Sequence, residues 1–588
     1  MKVLIFTFGV FAASVVSAQT NTFVETPESL QVFQQNQSSR CAISFSGVSS
    51  YDGMRLKLYE KNQFASNYSF VSSTDASTDI NDNWSTQINV NSGLSQYKIE
   101  VFGLVGGVEV FIDDFPDLLC GEVIAVLGQS NALAWTEMNE LSSNCGVFSN
   151  LQYTRAFSKN LGFETENNPN LWSGWGQAGT NAQYSTHFAG GWPLKLQNEI
   201  FTRQNLPLGI INQAVPSTRL SEHLPNATNL TNLNMNIYDG VELKMEESGA
   251  KNELRTIIWY QGEGDVSDSP VCSKEYIEEF IQLRQNWYAD FPNLERIYLV
   301  QLNTTCNPTQ SNSVNYKSLI REAQLKLSEI FEDVVLIGSF GLEENDYAVD
   351  GQFPCHMGAS GHCKFGEKVA DCVEEFFTGN LSDQSSNHPP QLEAVYYSAV
   401  SHSINYHFNQ PISVLDSNPN DIYFLEDYFY DENNQQITVS SYSIYNNELK
   451  LFLDVNQVKP EQISYLPNST YNGSADIYFG PLITSLTGTP SAAYYNFQVI
   501  SSEEFQGGWK YPKDLNTLGI IDVCTFDFVA HDNELRKSIK IGGCPNVHNT
   551  TTHCFLFATD QVEITGEFTV NQGSMLTIDT HNIQRLCE

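Results

Sequence analysis

The feature that most constrains the fold of this chain is a change in hydrophobic periodicity near Cys120. Beyond that residue, short and nearly continuous apolar runs alternate with stretches of helical periodicity. The apolar runs lie at Val123–Leu127, Leu208–Ile211, Leu254–Trp259, Ile297–Val300 and Val334–Ile337. Runs of this kind are typical of strands buried on both faces. Strands that alternate with helices predict a parallel sheet covered on both sides, from about 119 to 380.

Two of the intervening stretches have a clear amphipathic pattern. In "SKEYIEEFIQLRQNWY" one face carries Ile277, Phe280, Ile281, Arg284 and Trp287, and in "CKFGEKVADCVEEFF" one face carries Phe365, Val369, Cys372, Val373 and Phe376. This spacing predicts helices that pack against the sheet.

The regions on either side have short alternating strands, which predict all-β domains. The first stretch, "MKVLIFTFGVFAASVVSAQT", has the layout of a signal peptide cleaved after Ala18. The predicted layout is a signal peptide over 1–18, a β-sandwich over 19–118, an α/β domain over 119–380, a second β-sandwich over 388–502 and a small cysteine-containing β module over 503–588.

Composition sets the expected compartment and partners. The 588 residues exceed what one core organises, and the net charge of −38 argues against nucleic acid or anionic membranes as partners. No later apolar run is long enough to cross a bilayer, so we expect a secreted or cell-surface protein. The 12 cysteines suit an oxidising compartment, with Cys272–Cys306 as the favoured local disulfide.

Polar side chains follow the predicted strands at their carboxyl ends, where open parallel sheets bind ligands. The segments that follow the strands there carry Ser130, Gln261, Glu263, Asp350 and His356. A serine, an imidazole base and a carboxylate are the groups that covalent acyl transfer needs. The tetrahedral oxyanion needs N–H donors, for which the Gln261 amide and the Ser130 backbone are candidates.

Each of these residues also has a structural interpretation. Ser130 and Glu263 could cap helices, Gln261 could hold a loop, and His356 could pack beside Cys355. His362 is a competing histidine, for which the sequence favours a capping or surface role.

The blocks "GEVIAVLGQSNA", "IIWYQGEGD" and "CHMGASGHCKFGEKVA" resemble, in this order, the SGNH-hydrolase superfamily, in its sialate O-acetylesterase-like and acetylxylan-esterase-like branch. The resemblance covers about 119–380. It implies a flavodoxin-like three-layer α/β/α domain that hydrolyses O-acetyl esters on sugars without a metal or other cofactor. Ser130 matches the nucleophile of the family. Gly128 would permit the tight turn before it, with Gln129 and Asn131 bracing that turn.

The chain departs from the family pattern at two positions. Phe353 stands where relatives often have the aspartate, so the orienting acid is either Asp350 or Glu263, and the sequence favours Glu263. Relatives tend to have a Gly-Gly pair in the segment that follows the apolar run ending at Ile211, where this chain has "VPST". Here Pro216 has no N–H, so Ser217 would have to donate to the oxyanion.

The resulting prediction is a secreted serine esterase that removes acetyl groups from a glycan such as xylan or a sialoside. The alternative is a non-catalytic glycan-binding or surface protein that keeps the fold, favoured by Phe353 and Pro216. A lipid or thioester hydrolase is a third possibility, but no long apolar lid supports it.

Overall fold

The structure is a computed structural model that describes residues 19–502, apart from internal segments, and four short strands beyond them. The internal segments outside the description are 147, 149–150, 160–173, 181–186, 226, 228–234, 267–272, 304–312, 343–355, 379–386, 416–423 and 467–481. The predicted signal peptide over 1–18 lies outside the described residues. The chain divides into two compact units, Met1–Cys120 and Gly121–Glu588, which are described one at a time.

The first unit contains antiparallel strands whose side chains alternate between a core and solvent. The strands are β1 (Asn21–Glu25), β2 (Val32–Gln34), β3 (Arg40–Ser49), β4 (Gly53–Asn62), β5 (Ser69–Ser77), β6 (Asn83–Asn91), β7 (Ser95–Val105) and β8 (Val108–Gly128), the last of which ends in the second unit. One sheet has the order β1-β3-β6, and β5-β4-β7-β8 pair in another. A disulfide between Cys41 and Cys120 lies in the core that these strands enclose.

The second unit contains the parallel sheet that the apolar runs predicted. Its strands are the end of β8, then β9 (Thr154–Ser158), β10 (Gly174–Gln177), β11 (Leu208–Asn212), β12 (Thr256–Tyr260), β13 (Arg296–Gln301) and β14 (Val334–Gly338). They follow the order β10-β9-β11-β8-β12-β13-β14, and every neighbouring pair is parallel except β10 with β9. All five predicted runs are therefore strands of one sheet.

Helices follow the strands along the chain, which gives a mixed α/β architecture. They are α1 (Ser130–Leu133), α2 (Met138–Cys145), α3 (Gly191–Gln204), α4 (Ile237–Glu247), α5 (Glu263–Val266), α6 (Ser273–Asp290), α7 (Ser313–Ile330) and α8 (Ala359–Thr378). The apolar residues predicted for the faces of α6 and α8 are buried. Helix α8 packs against α3, where the Phe365 and Trp192 rings meet edge to face, and a disulfide joins Cys363 to Cys145 of α2.

A further β region follows within the same unit. Its strands are β15 (Leu392–Ser398), β16 (Ser403–Phe408), β17 (Ile412–Val414), β18 (Phe429–Asp431), β19 (Val439–Tyr445), β20 (Glu448–Leu453), β21 (Gln462–Tyr465), β22 (Ile483–Ser485) and β23 (Tyr494–Ser501). Seven of them form one sheet in the order β18-β21-β23-β15-β16-β20-β19, and β17 pairs with β22.

Buried polar contacts join this β region to the parallel sheet and to α7. The Gln301 side chain donates to the Ala493 carbonyl and accepts from the Ala493 N–H, at 3.0 and 2.9 Å. Arg321 donates to the Leu466 carbonyl, and the Tyr495 N–H donates to Glu322. These contacts explain why residues 388–502 cluster with the α/β region in a single unit.

The described part of the C-terminal region consists of four strands. They are β24 (Ser538–Gly542), β25 (Cys554–Phe557), β26 (Gln561–Thr565) and β27 (Leu576–Asp579), of which β24 pairs with β26 and β25 with β27. In the part of the chain that is described, no helix is long and apolar enough to span a membrane.

Candidate active site

The turn after β8 presents Ser130 at the carboxyl end of the parallel sheet. Gly128 has φ +131°, and a Cβ at this position would lie 2.0 Å from the Tyr260 carbonyl oxygen of the paired strand. Only glycine fits this close approach. The next residue, Gln129, donates its backbone N–H to the same carbonyl at 3.1 Å, and Ser130 begins α1. The serine is partly exposed at the end of a buried strand.

The structure brings Ser130 together with His356, which is 226 residues away in the sequence. The His356 Nε2 lies 3.0 Å from the Ser130 Oγ, within hydrogen-bond distance. His356 is partly buried and lies three residues before α8.

The competing His362 is in a different environment. It is 1% exposed, and its ring packs against the position where a Cβ of Gly191 would lie. Burial lowers its pKa to about 3, so it is neutral at physiological pH. The surface role expected for His362 is therefore wrong, because α8 turns this residue into the core.

Asn131 connects the serine helix to the histidine segment. Its Nδ2 donates to Glu263 Oε1 at 2.8 Å, and its Oδ1 accepts the backbone N–H of Met357, the residue after His356, at 3.2 Å. Its carbonyl oxygen accepts a hydrogen bond from the Trp192 indole at 2.8 Å. These hydrogen bonds connect Asn131 to three separate segments of the chain, and its predicted bracing of the serine turn stays a prediction.

Glu263 is a buried carboxyl group that begins α5. It is 5% exposed, and burial raises its pKa to about 7. Its Oε1 accepts from Asn131, while Oε2 is buried without a hydrogen-bond partner in the described part of the chain. Glu263 therefore does not make the hydrogen bond to His356 that a triad acid would make, although the sequence favours Glu263 as that acid. The other candidate acid, Asp350, lies outside the described residues.

The side-chain amide of Gln261 is buried and donates hydrogen bonds to two neighbouring residues. Its Nε2 donates to the Thr218 carbonyl at 3.1 Å and to the carboxylate of Asp265. Since both N–H groups of the amide have acceptors there, neither points to an oxyanion in this structure. Asp265 is fully buried and also accepts the Leu220 N–H. These two residues hold the loop around 218, and an oxyanion role for Gln261 stays a prediction.

The loop that carries Ser217 runs beside the end of β8, where the Val215 N–H donates to the Gly128 carbonyl at 2.8 Å. Ser217 is exposed and has φ +59°, in the left-handed region that favours glycine. A serine therefore occupies a backbone conformation that glycine adopts more readily. Its role as an oxyanion donor stays a prediction.

A buried histidine supports this loop. The Thr218 hydroxyl donates to the Val215 carbonyl at 2.7 Å and lies 2.8 Å from His223 Nε2. Because the hydroxyl has a single proton, His223 Nε2 must carry the hydrogen and donate it. Burial lowers the pKa of His223 to about 3, which keeps this tautomer neutral.

Gln129 joins the serine turn to α5, since its Oε1 accepts the Gly264 N–H at 3.1 Å. Asp265, Thr218 and His223 were not among the residues predicted for the site. The sign in the sequence that could have indicated Asp265 is a second carboxyl group two residues after Glu263.

The predicted Cys272–Cys306 disulfide lies outside the described residues. Among the described residues no group of three His, Cys, Asp or Glu side chains could hold a metal ion.

Comparison with known proteins identifies this region. Residues 121–375 match the family described as carbohydrate esterase, sialic acid-specific acetylesterase. The similarity to that family covers 255 of the 588 residues. The protein is accordingly a carbohydrate O-acetylesterase. No curated protein matches the chain by sequence.

Three solved structures are similar to the esterase to different degrees. A carbohydrate acetylesterase from Xanthomonas citri is 14% identical, with a TM-score of 0.54, over 80% of this chain and 98% of that one. An Arabidopsis thaliana protein is 17% identical, with a TM-score of 0.31, over 43% of this chain and 98% of that one. A family two carbohydrate esterase from Clostridium thermocellum, solved with cellohexaose, is 10% identical, with a TM-score of 0.27, over 58% of this chain and 94% of that one. Only the first is similar enough to support the fold of the esterase.

Proposed function

We propose that the esterase removes O-acetyl groups from a carbohydrate through a serine nucleophile, Ser130, with His356 as its base. The observation that supports this most directly is the 3.0 Å separation of Ser130 Oγ and His356 Nε2. A serine hydroxyl is a weak nucleophile until an adjacent base accepts its proton. The two side chains meet at the carboxyl ends of parallel strands, where open α/β sheets bind ligands.

The reaction would proceed in two acyl-transfer steps. Ser130 Oγ attacks the acetyl carbonyl carbon while His356 takes the hydroxyl proton, which forms a tetrahedral oxyanion. The C–O bond to the sugar then breaks, and His356 returns the proton to the departing sugar oxygen. A water molecule, deprotonated by the same imidazole, attacks the acetyl-serine and releases acetate and free Ser130.

The proposed oxyanion donors are the backbone N–H groups of Ser130 and Ser217. The first belongs to the start of α1, where backbone N–H groups have no partner within the helix. The second belongs to the loop that runs beside the end of β8. Gln261 supports that loop through Thr218, so it would act on the oxyanion indirectly.

The contacts of Glu263 shift the proposed orienting acid to Asp350. A carboxylate that fixes the tautomer of an imidazole must accept its second N–H. Glu263 instead accepts from Asn131 and has no hydrogen bond on its other oxygen. We therefore assign Glu263 to positioning α1 and the segment that carries His356.

The proposal extends to the setting of the enzyme. The signal-peptide pattern and the disulfides Cys41–Cys120 and Cys145–Cys363 support secretion. The strand order around β8 supports a three-layer SGNH domain. The substrate would be an acetylated xylan, a sialoside or another acetylated glycan.

The test is acetate release from acetylated xylan, acetylated sialosides and p-nitrophenyl acetate. Ser130→Ala should abolish hydrolysis of all three while the circular dichroism spectrum and melting temperature stay unchanged. Ser143→Ala, in exposed helix α2, is the matched control and should keep full activity. Wild-type protein that binds the glycans but hydrolyses none would favour the non-catalytic glycan-binding alternative.

A further inference from the structure

The exposure of Trp135 is unusual for this chain. Its side chain is 54% exposed, whereas the other described tryptophans are 4% exposed or less. These are Trp84, Trp175, Trp192, Trp259 and Trp287. Single exposed aromatic rings such as Tyr445 also occur elsewhere on this chain, so the exposure of Trp135 is informative only together with its position in the chain.

The backbone around Trp135 is held rigidly even though its side chain is exposed. Ala134 ends α1 in the left-handed conformation, with φ 58° and ψ 43°, and donates its N–H to the Ser130 carbonyl. The Ala134 carbonyl accepts from the Gly191 N–H at 2.7 Å, and the Thr136 N–H donates to Thr180 at 3.4 Å. Ala134 and Thr136 are both buried. The indole therefore projects from a fixed base.

Trp135 is also close to the proposed nucleophile. Ala134 lies one helical turn after Ser130, and Trp135 follows it directly. One turn rises about 5.4 Å and one further residue adds at most about 3.8 Å, so the two Cα atoms are within about 10 Å. When the acetyl ester of a sugar lies at Ser130, another part of the same sugar chain would be within reach of the Trp135 indole.

We infer that Trp135 is a sugar-binding residue that stacks against a pyranose ring of the acetylated substrate. The inference rests on the proposed function of Ser130 and names the substrate contact of the same site. One face of a pyranose presents C–H groups while its hydroxyls point outward, so a flat aromatic ring can cover the apolar face without removing water from the hydroxyls. Ligand sites commonly combine such an apolar surface with a few polar groups.

The kinetic test compares a sugar ester with an ester that has no sugar. For the acetylated oligosaccharide that the enzyme hydrolyses best, Trp135→Ala should raise KM about tenfold with little change in kcat. Hydrolysis of p-nitrophenyl acetate should be unchanged, and Trp135→Phe should retain most of the sugar activity. Tyr445→Ala, which removes an aromatic ring that is 77% exposed in the β19–β20 turn, is the control and should have no effect.

Two results would overturn the inference. An equal loss on both esters would indicate a structural role for Trp135, and no loss on the sugar ester would mean that the indole does not contact the sugar.

Binding separates this inference from the proposed function. Calorimetry with partially acetylated xylo-oligosaccharides and acetylated sialosides, on Ser130→Ala protein, needs no turnover. Weaker binding in the Ser130→Ala/Trp135→Ala double variant supports the stacking role even if the wild type hydrolyses no ester. Equal binding, or none, in both variants contradicts it.

Discussion

Asn131 is the residue on which the geometry of the site depends most directly. Its side chain accepts from the residue after His356 and donates to Glu263, while its own backbone follows Ser130. Removing the amide would leave a buried N–H and a buried carboxyl oxygen without partners, each at a cost of about 1–3 kcal/mol. The short distance between Ser130 and His356 therefore has support outside the pair itself.

This arrangement predicts different effects of removing the two candidate acids. Glu263→Gln keeps an oxygen that can accept from Asn131, so turnover should fall about tenfold or less. Asp350→Asn should lower turnover on the order of a thousandfold or more, as loss of the carboxylate does in serine hydrolases. Turnover of one acetyl ester by both variants, with circular dichroism to verify folding, is the measurement. A larger loss in Glu263→Gln would return the acid role to Glu263.

The buried Glu263 also predicts a pH dependence of stability. Its pKa in the folded protein is about 7, against an ordinary value of 4.5. Between pH 4.5 and pH 7 the folded protein therefore keeps a proton on Glu263 that the unfolded chain has lost. The protonated Glu263 stabilises the fold fully below pH 4.5, and this stabilisation is lost as the pH rises through 7. Its size is on the order of 3 kcal/mol.

Glu263→Gln carries no charge at any pH and lacks this dependence. The melting temperature of the variant, relative to wild type, should therefore rise between pH 5 and pH 8. A constant difference in melting temperature between the two proteins from pH 5 to pH 8 would contradict the assignment of a raised pKa to Glu263.

At the scale of elements, sequence reasoning succeeded where apolar continuity determines the structure. The five predicted runs are all strands, because Val, Ile and Leu in succession suit positions buried on both faces. Strand β9 was missed. Its residues include Thr154, Arg155 and Ser158, which are polar but buried by neighbouring elements. Burial of that kind depends on tertiary contacts that no local pattern contains.

Side-chain direction set a similar limit within the site. The rim positions of Ser130 and His356 follow from the ends of strands and the order of the blocks. Whether the Gln261 amide points to the site or to Asp265 depends on packing below the rim. The Cys145–Cys363 disulfide could not be predicted either, because 218 residues separate the two cysteines and only the fold brings them together.

The Cys145–Cys363 disulfide makes a prediction at the element scale. It joins α2 to the second turn of α8, a helix that begins three residues after His356. Closing so long a loop restricts the unfolded chain, and its loss should cost a few kcal/mol. The double variant Cys145→Ser/Cys363→Ser should melt at a lower temperature than wild type and respond less to reductant. Cys372→Ala, on the same helix but without a disulfide, is the control and should keep the full wild-type response to reductant.

At the scale of the whole molecule, the sequence indicated an independent β-sandwich over 388–502. The buried pairing of Gln301 with Ala493 shows that this region shares an interface with the α/β region. Polar residues such as Gln301 and Arg321 gave no sign in the sequence that they face another region of the chain. The predicted domain limits themselves stay a prediction.

The pairing predicts that the two regions unfold together. Gln301→Leu would leave the N–H and the carbonyl of Ala493 without their Gln301 partners in a buried interface, at about 2–6 kcal/mol in total. Hydrogen exchange measured against urea concentration should show that α7 and β23 lose protection at one midpoint, and that this midpoint is lower in the variant than in the wild type. Gln282→Leu on the exposed side of α6 should leave the midpoint almost unchanged. Different midpoints for α7 and β23 in the wild type would show that the two regions fold independently.

The buried acidic groups near the site have a consequence for how the enzyme tolerates its own product. Each acetyl ester that it cleaves releases acetic acid, so a working enzyme acidifies its surroundings unless the medium is buffered. Burial raises the pKa of Glu263 and of Asp265 to about 7 and that of Glu279 to about 8. Acidification toward pH 5 therefore protonates groups whose charge opposes folding, and through these groups accumulated product stabilises the protein that made it.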